Sequence, residues 1–135
     1  MSISNLIIAA VLIAAVIFYL YQKGIIFADF ENITPEEAYS MIKKDKKDVV
    51  IIDVRTPPEV KSEGKIPNSI LIPLGTLSRQ IDKLKKYKDK KIIVYCRSGN
   101  RSVSAARILK SLGFDKVYNL KGGIINWKKH NLPVK

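Results

Sequence analysis

The stretch Lys91-Ile92-Ile93-Val94-Tyr95-Cys96-Arg97-Ser98-Gly99-Asn100-Arg101-Ser102 sets the fold class of this 135-residue chain. A short apolar run ends at the only cysteine, a glycine-containing loop follows, and a helical pattern begins with Val103, Ala106, Ile108 and Leu109 on its inner face. The order is therefore strand, tight loop, helix, with a thiol at the pivot. Backbone N–H groups at a helix N-terminus lack intrahelical partners and favour negative charge in the loop before them. Thiols beside such a terminus and beside cationic side chains ionise more readily than free ones. The loop thus reads as a nucleophile in an anion cradle.

Outward from this unit, Val49 to Ile52 form another continuous apolar run, the pattern of a strand buried on both faces of a parallel sheet, ending at Asp53-Val54-Arg55. Thr34-Pro35-Glu36-Glu37 is a helix start, with Thr34 as N-cap, Pro35 in the first turn and Glu37 completing a capping box. Pro57-Pro58 and Gly64 bracket a short helical turn over Glu59 to Glu63. Ile70 to Ile72 read as a strand, Leu77, Ile81 and Leu84 recur at helical spacing, and Val117-Tyr118 form a last strand before Gly122-Gly123 opens a helix carrying Ile124, Ile125 and Trp127. Strands alternate with helices, so the class is α/β with a mainly parallel central sheet flanked by helices. In such sheets ligands bind at the carboxyl ends of the strands, where both Cys96 and Asp53 fall; neighbouring strands would bring the two together.

The N-terminus is a separate matter. Met1 to Gln22 carries no charged side chain and Leu6 to Leu20 is uninterruptedly apolar, enough for one helical crossing of a bilayer. The segment preceding it has no basic residue and no small-x-small site follows, which favours an uncleaved anchor over a signal peptide. The expected organisation is an anchor over 1–23, a linker over 24–30 and one domain over 31–135. Lys23 and the later lysines put that domain on the cytoplasmic side by the positive-inside rule. A lone cysteine, unable to form an internal disulfide, agrees with a reducing compartment.

The net charge of +12 is densest at Lys83, Lys85, Lys86, Lys88, Lys90 and Lys91. Tyr87 is the only aromatic residue in this run, so it lacks the aromatic interleaving of a single-strand nucleic-acid surface, and no nucleic-acid partner is expected. A solvated face is the plain reading and attraction to anionic headgroups the functional one. No Cys/His cluster suits a metal and no glycine-rich nucleotide fingerprint follows a strand, so no cofactor is expected. His130, the sole histidine, reads as a surface residue, and Trp127 as core.

Several ordered features together resemble the rhodanese (sulfurtransferase) family. They are Ile33-Thr34-Pro35-Glu36-Glu37-Ala38, Ile52-Asp53-Val54-Arg55, Gly64-Lys65-Ile66-Pro67-Asn68-Ser69-Ile70, the Cys96 to Ser102 loop, and Leu120-Lys121-Gly122-Gly123 with Trp127 and Pro133. Lys65 stands where that family often has His, and Asn68 where it often has Gly. The resemblance implies that the Cys96 thiolate attacks the outer sulfur of a donor such as thiosulfate, forms a persulfide, and passes the sulfur to a thiol or cyanide. It also implies that backbone N–H groups of Arg97, Ser98, Gly99, Asn100 and Arg101 hold the sulfur anion.

Arg97 and Arg101 can each meet an oxyanion bidentately, which suits a small sulfur-containing anion; the family resemblance equally allows Arg101 to brace the loop through carboxylates. Asp53 and Arg55 read as a supporting pair, at the site's edge or within the fold, and Ser102 as support for the loop. Cysteine phosphatases need one more residue between Cys and Arg than the four found here. A second reading of the same loop is a membrane-tethered carrier that takes sulfur from one protein and gives it to another, or a docking module.

Overall fold

The computed structural model describes residues 2–135. A parallel five-stranded sheet, β1 (Glu31–Ile33), β2 (Val49–Asp53), β3 (Ile70–Leu71), β4 (Lys91–Tyr95) and β5 (Val117–Leu120), runs in the order β1-β5-β4-β2-β3. Helices α1 (Ile3–Gln22), α2 (Pro35–Lys44), α3 (Pro57–Glu63), α4 (Asn100–Ser111) and α5 (Gly123–Lys129) precede, connect or follow the strands.

The two-residue period of the strands sorts their side chains between two cores. Val50 and Ile52 of β2 and Ile92 and Val94 of β4 pack with Val103, Ala106 and Leu109 of α4. Ile51, Ile93 and Tyr95 face the other way, onto Ala38 of α2 and Ile124 and Trp127 of α5. Continuing the alternation past the end of β4 puts Cys96 on the α4 side.

From β2 the chain runs outward to β3 on one side, whereas β4 lies on the other side of β2 and leads toward β5. Loops leaving adjacent carboxyl ends in opposite directions open a crevice there. Asp53 is in register with Tyr95, so the sheet does bring Asp53 and Cys96 to adjoining strand ends.

The capping box at Thr34 forms as the sequence predicts, with Glu37 N donating to Thr34 Oγ1 and Thr34 N donating to Glu37 Oε1. The helical spacing of Leu77, Ile81 and Leu84 does not produce an α-helix. Three short 3₁₀ turns, Leu74–Thr76, Ile81–Lys83 and Lys85–Tyr87, occupy the stretch, burying Leu77 and Leu84. A continuous helix would stack Lys83 on Lys86, Lys85 on Lys88 and Lys86 on Lys90, like charges at the spacings where they repel. One strand, β1, has no sequence signal beyond Ile33; it is three residues long, lies at the sheet edge and pairs only with β5.

α1 has no buried residue and is the one helix among the described residues long and apolar enough to cross a membrane. Residues 24–30 return from it onto the domain, with Gly24 and Phe30 buried against Val103 of α4.

Candidate active site

Cys96 follows the last residue of β4 and is 1% exposed. Gly99, at φ +108, caps α4 and turns its own N–H back onto the sulfur, at 3.0 Å from Sγ. That left-handed conformation is open to glycine and disfavoured for other residues. The thiol in turn donates to Ser102 Oγ at 3.5 Å. Ser102 is buried and donates to Asn119 Oδ1 at 2.6 Å, while Asn119 Nδ2 donates to Asn32 Oδ1 at 2.8 Å and Asn32 Nδ2 to the carbonyl of Gly24 at 2.9 Å. A chain of side-chain amides thus runs from the sulfur across β5 and β1 to the segment leaving α1.

The carbonyl side of the loop is fixed by α5. Ile124 N donates to Cys96 O at 3.0 Å and Ile125 N to Arg97 O at 3.2 Å. Gly123, at φ +61, makes this approach possible: a Cβ there would lie 2.5 Å from the Cys96 and Arg97 carbonyl oxygens.

Both arginines of the loop are engaged by carboxylates of α3. Arg101 meets Glu59 in a bidentate pair at 2.7 and 2.6 Å, and Arg97 Nε lies 3.1 Å from both oxygens of Glu63. Glu59 also accepts from Thr56 N and Oγ1, completing the cap of α3. The Arg101 guanidinium first, with the Thr56 bonds adding to it against the opposing effect of burial, holds the Glu59 carboxyl down at about 2. With the cations so occupied, Gly99 N–H is the donor aimed at the sulfur, and a bound anion would meet backbone N–H groups and the positive field of the paired arginines. Ser98 and Asn100 shape the loop's outer wall, where Asn100 Oδ1 accepts from Lys23 Nζ at 3.0 Å.

Asp53 and Arg55 form a fully buried bidentate pair beneath the site, with Nη2 2.7 Å from Oδ2 and side-chain exposures of 1% and 0%. Arg55 also donates to Gly64 O at 2.7 Å and lies 5.5 Å over the Tyr95 ring. The Tyr95 hydroxyl accepts from Ile66 N and bonds Ser69 Oγ, and burial, reinforced by the Asp53 charge, pushes it up to about 12. The pair's contacts therefore tie the 64–69 loop to the strand ends. Asn68 takes φ +67, a conformation Asn tolerates in glycine's place.

Glu59, Glu63 and Asn119 were not singled out by sequence reasoning. Glu59 carried a signal: Thr56-Pro57-Pro58-Glu59 repeats the capping-box pattern of Thr34 to Glu37. Asn119, a polar residue inside the apolar run of β5, carried a weaker one. His130 lies apart, bonded to Asn126 O and 3.0 Å from Glu36. Among the described residues no three His, Cys, Asp or Glu side chains converge as metal ligands.

Residues 34–130 match the family model of the rhodanese-like domain. A sulfurtransferase of Allochromatium vinosum is 37% identical over 103 residues, spanning 76% of this chain and 94% of that protein. The crystal structure of a rhodanese-related protein from Thermoplasma volcanium superposes with a TM-score of 0.69 at 35% identity, covering 78% of this chain and 98% of the other. The solution structure of a polysulfide-sulfur transferase homodimer from Wolinella succinogenes gives a TM-score of 0.73 at 29% identity, with 87% of each chain covered.

Proposed function

The chain belongs to the rhodanese-like domain family, and from that premise we propose that it is a sulfurtransferase working through a persulfide on Cys96, with thiosulfate or a similar sulfane-sulfur anion as donor. The Cys96 thiolate attacks the outer sulfur, the S–S bond of the donor breaks, and sulfite leaves with the bonding electron pair. The resulting persulfide anion takes the place of the thiolate at the Gly99 N–H. A thiolate or cyanide then attacks the terminal sulfur, receives it as a persulfide or thiocyanate, and the Cys96 thiolate is restored. The terminal sulfur of a polysulfide has the same chemistry, and the Wolinella relative, named for polysulfide-sulfur transfer, supports a donor of this kind.

The observation that carries this reading is Sγ at the carboxyl end of β4, 3.0 Å from a backbone N–H at the start of α4. An anionic sulfur intermediate is stabilised there without a proton donor. The apolar α1 supports a single-pass anchor, and the charge distribution around Lys23 supports a cytoplasmic domain. Protein persulfides are donors and protein thiols acceptors on the same terms as small ones, which keeps the membrane-tethered carrier as the second reading; the same loop serves both.

Intact-mass spectrometry of the full chain before and after thiosulfate or polysulfide tests the proposal. The expected result is a gain of about 32 Da, one sulfur atom, reversed by cyanide and absent in Cys96→Ser. No gain with any sulfane donor would overturn it.

A further inference from the structure

The segment between α1 and β1 does not have the composition of a flexible tether. Gly24-Ile25-Ile26-Phe27 is apolar, and it is held against the domain instead of hanging from it. Gly24 packs so closely that a Cβ would lie 2.9 Å from the Phe30 ring and 3.1 Å from Val103. Arg107, from the middle of α4, donates to the carbonyls of Tyr21, Ile26 and Phe27, and its guanidinium lies 3.8 Å over the Tyr21 ring. One side chain thereby caps the end of α1 and clamps the turn that follows.

The clamp holds Phe27 at φ +52, a backbone conformation that aromatic residues avoid, and leaves the residue 77% exposed; Ile25 is 63% exposed. Two large apolar side chains are thus kept outward, in register with the end of a helix that is itself apolar all round. Lys23 stands beside them, and Tyr19, Lys23, Ile25 and Lys121 line a cleft of about 250 Å³ with Ser98 and Gly99 of the cysteine loop. Apolar side chains rimmed by cations, continuous with a membrane-length helix, match the bilayer interface. The lysine-rich run cannot supply this contact, because Lys91 begins β4 and the run lies at the opposite end of the strand from Cys96.

We propose that residues 23–27, clamped by Arg107, seat the domain on the bilayer that α1 crosses, with Ile25 and Phe27 at the acyl–headgroup boundary and the cleft beside the cysteine loop opening at headgroup level. The inference rests on the anchor reading of α1 and is independent of which sulfur donor is used. Its consequence is that partners reach Cys96 along the membrane surface.

Because Cys96 is the only cysteine, single-site labelling is direct. In a Cys96→Ser background, an environment-sensitive nitrobenzoxadiazole label is placed at Ile13→Cys, Phe27→Cys or Lys88→Cys of the full chain, reconstituted in vesicles of phosphatidylcholine and phosphatidylglycerol with or without doxyl-labelled lipid. The expected result is strong quenching at 13, quenching at 27 at least about twofold above that at 88, and a fall at 27 when Arg107→Ala is added. Quenching at 13 with residue 27 no better quenched than 88 overturns the seat while leaving the anchor standing. Absence of quenching at 13 overturns both.

Discussion

Gly123→Ala should dismantle the cysteine loop from behind. The new methyl would sit 2.5 Å from two carbonyl oxygens, of Cys96 and Arg97, and 2.6 Å from the Arg97 carbonyl carbon. These are backbone atoms, so no rotamer change relieves the contact; the loop or the start of α5 has to move by most of an ångström. Alanine at φ +61 costs about 1–2 kcal/mol by itself. Moving the loop stretches the bonds from Ile124 N to Cys96 O and from Ile125 N to Arg97 O, each worth about 1 kcal/mol. The sum is roughly 3–4 kcal/mol, which for a domain of this size lowers Tm by on the order of 10–15 °C. The assay is thermal unfolding by near-UV circular dichroism, with the rate of persulfide formation measured below the transition. Gly75→Ala is the matched control, since a Cβ there meets nothing within 4 Å. A Gly123→Ala protein that melts within about 2 °C of the parent and forms persulfide at the parental rate would refute the reasoning.

Asp53→Asn leaves the Arg55 charge buried without its counter-ion and should cost about 3–5 kcal/mol in urea unfolding, whereas Asp53→Leu with Arg55→Met recovers most of it; equal stability of the single and double variants contradicts this. The Glu59 carboxyl is held at about 2, below its ordinary 4.5, so its pair with Arg101 contributes fully above the ordinary value and is lost as pH falls through the lower one. Urea midpoints of the parent should fall across that window more steeply than those of Glu59→Gln, and parallel curves would count against the pair. Ser102→Ala strips Asn119 Oδ1 and the thiol of their partner, with an expected loss of about 1–3 kcal/mol and slower persulfide formation. Stopped-flow traces unchanged from the parent would remove Ser102 from the site.

The cysteine loop and its two flanking elements were legible because local chemistry dictates them: an apolar run, a glycine at positive φ and a helix start are written within about a dozen consecutive residues. The partners of that loop were not. Glu59 and Glu63 meet Arg101 and Arg97 across 42 and 34 positions, and no sequence period links them. Asp53 and Cys96 depended in the same way on strand order, which the crossover from β3 to β4 decides. The Leu77, Ile81 and Leu84 spacing misled because apolar period alone ignores the repulsion among Lys83 and the lysines that follow Leu84. The docking of residues 24–30 had no signal in the linker itself; the contact is made by Arg107, 80 positions or more away.

The pairing of β1 with β5 sets an order of events during synthesis. Glu31 lies opposite Tyr118, 87 positions later, and β1 has no other neighbour in the sheet. At typical elongation rates that interval lasts roughly 4–17 s, during which β1 has no strand to pair with. The β1 edge of the sheet therefore stays open until β5 has been made. A nascent chain halted before Val117 keeps β1 and one side of β4 unpaired, an open sheet exposed to proteases.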